Sequence, residues 1–211
     1  MEKASPILSK LASSLGRRDE EPNIALAKDI AAKNNKAAVK ELVENLSCKN
    51  KDIQNDCIKV LYEIGEIKPG LISEYAKTFA GLLQHKNNRL QWGAMTALYT
   101  IVPENPKLIY SLLAKVLEAS DKGSVITKDN AVKILLRLCS IKEYAAETFS
   151  LFNEQLLKGL TNQLPMYAEL AIPVINDKNK KLFVKTLSSR VDDIEKDTKR
   201  KRVEKIIKKF S

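Results

Sequence analysis

The 211-residue sequence predicts an all-α chain, a right-handed α-solenoid of stacked helical hairpins. Three observations carry that expectation. Ala, Leu, Lys and Glu dominate a chain with only seven glycines and seven prolines, which favours helix over strand. Hydrophobic residues make up 44%, enough for a continuous core. A pattern of apolar residues returns every 37 residues, the mark of a repeat architecture.

The repeat is clearest in four segments: Asp52 to Ile64, Arg89 to Ile101, Ile126 to Leu138 and Gln163 to Ile175. At a shift of 37 they align as Cys57, Ala94, Ala131, Ala168, then Leu61, Leu98, Leu135, Ile172, then Ile64, Ile101, Leu138, Ile175. Small, large, large at i, i+4 and i+7 is one face of a helix, and the small position lets a neighbour approach closely. Each of these second helices has an upstream partner. Leu42 and Leu46 are matched by Phe79 and Leu83; Val116 continues the first column, and Phe149, Phe152 and Leu156 begin a shifted fourth copy. Lys49-Asn50-Lys51 matches Lys86-Asn87-Asn88 as the turn within a pair. Pro69 and Pro106 are expected in the links between pairs, where proline ends one helix and permits the next. A shorter first hairpin is expected over residues 5–34, from Pro6 to Leu15 and from Asn23 to Ala32.

These residues resemble HEAT repeats, two-helix units longer than the 34-residue tetratricopeptide unit, whose Trp…Leu-Gly…Tyr pattern is absent. The resemblance covers residues 36–176. It implies about five HEAT-like hairpins in which the second helices line a concave binding side. Of the Asp and Arg that often flank the second helix in that family, only Asp52 and Arg89 stand near those places.

A solenoid must cover the apolar faces of its end units. The fourth second helix is apolar nearly all round, and Pro173 is expected to kink it or end it early. Residues 180–195 carry Leu182, Phe183, Leu187, Val191 and Ile194 at helical spacing, which suits a capping helix. Residues 1–195 thus read as one solenoid and residues 196–211 as a separate basic, amphipathic tail. That tail has eight Lys or Arg against two acids, in a chain of net charge +10. Its apolar stripe is Val203, Ile206, Ile207 and Phe210, with Asp197 as the expected N-cap.

The motifs of the common enzyme classes are missing: no Gly-rich phosphate loop, no metal-spaced histidine pair, no nucleophile elbow. One histidine, His85, and three cysteines without short spacing offer no zinc cluster. No catalytic residue, metal or cofactor is expected, and the thiols suit a reducing interior. The first residues make no secretory signal and no stretch suffices for a membrane span, so the expected setting is soluble and cytoplasmic. The Lys199–Arg202 run resembles a nuclear import signal. Some HEAT-like proteins are alkylpurine DNA glycosylases whose motif joins Trp and Asp one turn apart. Trp92 is followed one turn later by Thr96 instead.

The outer positions of the second helices give the candidate binding strip: Lys59, Trp92, Tyr99, Lys128, Lys133 and Arg137. Aromatic area beside cations suits an acidic peptide or protein, and serves nucleic acid as well. The tail supplies a candidate basic arm: Lys199, Arg200, Lys201, Arg202, Lys205, Lys208 and Lys209. It suits nucleic acid, an acidic protein or an anionic membrane surface. A non-enzymatic, monomeric adaptor is the expected function.

Overall fold

The computed structural model describes residues 6–211; residue 5, where the first hairpin was expected to begin, and those before it lie outside the described residues. The described residues hold twelve α-helices joined by short 3-10 turns, and no strand. They cluster into two compact units, a first that ends at Ala131 and a second, Val132–Ser211.

The first unit contains α1 (Glu21–Lys33), α2 (Lys36–Glu44), α3 (Lys51–Ile67), α4 (Ala76–Leu82), α5 (Asn88–Ile101), α6 (Pro106–Ser111), α7 (Leu113–Lys122) and the start of α8 (Val125–Cys139). The 37-residue period extends to the caps. Asn50 accepts from the Asp52 amide (2.9 Å), Asn87 from the Arg89 amide (3.0 Å), and Ser124 Oγ from the Thr127 amide (3.3 Å). Each satisfies an amide that the first helical turn leaves without an internal partner. The predicted columns face inward: Cys57, Leu61 and Ile64 of α3 and Ala94, Leu98 and Ile101 of α5 are fully buried, against Leu42, Phe79 and Leu83.

Glycine sets how closely α3 and α5 approach. A methyl group on Gly65 would stand 2.2 Å from Thr100 Oγ1, and one on Gly93 would stand 2.7 Å from Ile58 Cγ1.

One expectation for this unit is refined and one corrected. Pro69 and Pro106 lie between the helix pairs, as expected, but each opens a short helical piece there. Pro69 opens a 3-10 turn, Pro69–Leu71, and Pro106 is the first residue of α6. Fixed φ and a missing N–H suit proline to a first turn, so each prolonged link becomes an extra short helix and the repeat gains a third piece. The N-terminal hairpin is also incomplete, since residues 6–15 form only the 3-10 turn Leu8–Lys10. Polar ties hold the following segment instead. Ala12 donates its amide to Asn23 (3.0 Å), Ser13 donates to Asp56 (2.8 Å), and Asn23 donates to the other oxygen of Asp56 (2.7 Å).

The second unit takes the end of α8 and then α9 (Ala145–Lys158), α10 (Leu164–Ala171), α11 (Lys180–Ser188) and α12 (Asp197–Phe210). Leu135 and Leu138 stay fully buried, with Phe149, Phe152 and Leu156 of α9 beside them in the core. The fourth column fails where Pro173 ends α10. The chain passes into a 3-10 turn, Ile172–Val174, and Ile172 and Ile175 are left half-buried. The expected cap over residues 180–195 is helical only to Ser188, though Phe183, Leu187 and Ile194 are buried as anticipated. Arg190 closes the turn by donating to the carbonyls of Leu156 (2.9 Å) and Gly159 (3.1 Å) at the end of α9.

The tail is not a detached arm. α12 packs on both α10 and α11, burying Val203 and Ile206 and setting Phe210 edge-on to Phe183 at 6.1 Å. Asp197 is its first residue, not its cap, and pairs with Lys201 at 2.8 Å. An apolar stripe beside unfilled core is more stable covered than in water, which outweighs the solubility of the charged face.

Candidate partner-binding face

In the first unit the site begins with Trp92, on the outer side of α5. It is half-buried, not fully outward. Its ring lies 5.8 Å from that of Tyr62 on α3, inclined by 47°, and the Arg89 guanidinium stands 5.5 Å from the indole centroid. Tyr62 is buried and carries Lys59 at 4.9 Å from its own ring. The indole is therefore supported by an aromatic neighbour and flanked by a cation, an arrangement that holds its orientation before any partner arrives.

Lys59 departs from the predicted strip. Its side chain is 7% exposed and its ammonium lies 2.8 Å from Glu20 and 2.7 Å from Glu63. Burial alone would lower its pKa, but the hydrogen bonds to Glu20 and Glu63 outweigh that and hold it above the ordinary lysine value. Glu20, in the segment before α1, also pairs with Arg89. Its bond from Lys59, helped by the one from Arg89, keeps its carboxyl below the usual range. Two cations of the expected strip region are thus neutralised internally, and Lys59 is a structural ion, not a contact for a ligand.

Nothing in the periodicity signalled this. A helical wheel places Lys59 outward, but it cannot know that residue 20 returns to cover it. Arg89, one turn before Trp92 on the same helix, was within reach of the helical pattern, whereas Tyr62 reaches the indole from the neighbouring α3.

Thr96, one turn after Trp92, donates to the Trp92 carbonyl (2.9 Å) and accepts from Asn130 (2.9 Å). The position that a glycosylase-type motif gives to a carboxylate is therefore occupied by a tie from α5 to the start of α8. Tyr99 and Lys128 are half-buried on the first unit. Lys133 and Arg137 are half-buried on the second unit's share of α8.

The seven residues of the basic arm divide into two groups. Lys199 donates to the Asn162 carbonyl (3.0 Å), Arg200 to the Ile194 carbonyl (2.8 Å), and Arg202 pairs with Glu169 at 2.6 Å through two parallel bonds. With Lys201 held by Asp197, these four staple α12 to its own unit or to itself. Lys205, Lys208 and Lys209 are exposed, and Lys209 lies over the ring of Phe210 at 5.3 Å.

The thiols are unpaired: Cys48 is half-buried, and Cys57 and Cys139 are buried. Burial pushes the Cys139 thiol up to about 11, against a partial opposing effect of the Thr148 hydroxyl 3.2 Å away. Among the described residues, no helix is long and apolar enough to cross a membrane.

No protein-family model matches this sequence, and no curated protein does. Solved structures do. An engineered protein from a structural genomics consortium is 21% identical with a TM-score of 0.61, covering 96% of this chain and 98% of its own. A designed armadillo repeat protein in complex with the peptide (KR)4 is 14% identical with a TM-score of 0.61, covering 98% and 100%. A second designed armadillo repeat protein is 14% identical with a TM-score of 0.58, covering 97% and 100%. Likeness at this identity shows the fold, and the chain is an α-solenoid of armadillo-like helical repeats.

Proposed function

We propose that this chain is a non-enzymatic binding module of HEAT-like character, an adaptor that receives a protein segment against the face carrying Trp92. The observation that carries this reading is the ordered, part-exposed indole between Tyr62 and Arg89. An aromatic held rigid at a surface loses little freedom on binding and contributes large apolar area, which is why tryptophan recurs among residues that dominate interface energies. Tyr99 and Lys128 extend the face within the first unit. Lys133 and Arg137 give the second unit its own basic contribution. A chain of net charge +10 favours an acidic protein or peptide over a basic one. The designed relative's complex with a peptide supports polypeptide as the partner class. A monomer working in the soluble, reducing interior of the cell is the setting we propose.

The test is a paired capture from the source cells with the intact chain and with Trp92→Ala, each bound partner identified by mass spectrometry. Partners retained by the first and lost by the second support the reading. An identical set on both would remove Trp92 from the binding site.

Nucleic acid is a second reading, favoured by the exposed Lys205, Lys208 and Lys209. Retention on DNA that collapses as salt rises would support it, because displaced counterions make such binding steeply salt-dependent.

A further inference from the structure

The second unit contains a cleft of about 710 Å³, within the usual size range for ligand pockets. It is lined by the end of α8, the first turns of α9, the 176–179 turn and the start of α11. Its apolar lining comes from Ala145, Ala146, Phe149 and Leu182. Leu182 is 46% exposed, a large side chain that the unit leaves uncovered.

The polar wall is already satisfied. The Asn176 amide donates to Asn179 (2.8 Å), the Lys178 amide to Asn176 (3.0 Å), and Asn179 donates to the Val174 carbonyl (3.0 Å). Asp177 is occupied by Lys180 at 2.8 Å. Two lining groups carry charge without an ion pair or hydrogen bond among the described residues, the ammonium groups of Lys142 and Lys178. Both side chains are exposed.

Apolar lining with two uncommitted cations is complementary to an apolar body ended by an anionic group such as a carboxylate. The geometry points to the carboxyl terminus of a partner polypeptide as the occupant, its last apolar side chains against Phe149 and Leu182 and its terminal carboxylate between Lys142 and Lys178. The choice of polypeptide, and with it of a carboxylate, rests on the proposed function; the anionic end and the apolar body rest on the cleft itself. Each ammonium supplies a charge-assisted hydrogen bond to the carboxylate. Capture of a chain terminus is an established mode of peptide recognition.

The experiment uses the full chain and a library of fluorescein-labelled hexapeptides. Each has a glycine–serine stem and one pairing of apolar residues at its end, made both as free acid and as terminal amide. Fluorescence anisotropy is expected to find free acids that bind saturably and lose at least tenfold affinity as amides. Lys142→Glu with Lys178→Glu, checked for unchanged circular dichroism, should lose a similar factor, and Trp92→Ala should lose none. That last result separates this cleft from the Trp92 face, since either can fail alone. No saturable binding, equal affinity for acid and amide, or no loss in the double lysine variant would overturn the proposal. So would decanoate displacing the best peptide at lower concentration than the peptide itself, which would make the occupant a free amphipathic acid.

Discussion

Glu20 reaches Lys59 at 2.8 Å, joining the segment before α1 to the middle of α3 through an ion that the fold almost closes off from water. Glu63 holds the same ammonium at 2.7 Å from its own helix. Removing one carboxylate leaves Lys59 a partner, so Glu20→Gln should cost only about 1 kcal/mol, as for a partly exposed pair. Removing both leaves a buried charge uncompensated, and Glu20→Gln with Glu63→Gln should cost roughly 3–5 kcal/mol. Urea unfolding of the three proteins at neutral pH measures both. Additive small losses would mean that Lys59 escapes to solvent.

The same contact sets a pH dependence. The folded carboxyl of Glu20 is held below its unfolded value, so its contribution is present above about pH 4.3 and lost as pH falls through the folded value. The stability difference between the intact chain and Glu20→Gln should therefore shrink as the pH is taken down below about 4.3. A difference that stays constant over that range would show that Glu20 does not titrate with folding.

Gly65→Ala should destabilise the first unit by about 1–3 kcal/mol, because its new methyl would meet Thr100 Oγ1 at 2.2 Å. Helix propensity alone predicts a gain of about 1 kcal/mol, so the sign of the change in a thermal melt distinguishes close packing from propensity.

α12 was read from sequence as a separable arm, and its packing predicts the opposite. Val203→Ala should cost about 2 kcal/mol through lost burial, and removing Asp197 to Ser211 should lower the melting temperature of the chain markedly. Exposed Lys205→Ala should change neither. A truncated chain that melts like the intact one would restore the arm.

Much of the fold was legible because repeats state the same local instruction several times. The columns at Cys57, Leu61 and Ile64 return at Ala94, Leu98 and Ile101, and even the caps Asn50, Asn87 and Ser124 keep the spacing. Where the repetition ended, so did the legibility. Pro173 diverted Ile172 and Ile175 from the core, and the charge density of α12 hid a stripe that α10 and α11 cover. Trp92 was chosen for its residue type, and the neighbours that hold it were not. The partners that define its surroundings, Glu20 and Arg89, are 69 residues apart, beyond any helical pattern.

The buried thiol of Cys139 should resist alkylation at neutral pH. With its value near 11, only about one thiolate in a thousand is present at pH 8. Its iodoacetamide rate, read by peptide mapping, should go on rising tenfold per pH unit to pH 10. A plateau near pH 9 would indicate an ordinary, accessible thiol.

Binding by the Trp92 face is the claim on which the functional account stands. One protein decides it: Trp92→Ala, measured for both melting temperature and dissociation constant toward a partner captured by the intact chain. The account predicts a loss of about 2 kcal/mol in binding, roughly thirtyfold, with a loss of stability near 1 kcal/mol from the vacated contact with Tyr62. A stability loss of roughly 3–5 kcal/mol with unchanged binding would contradict it and make Trp92 a packing residue.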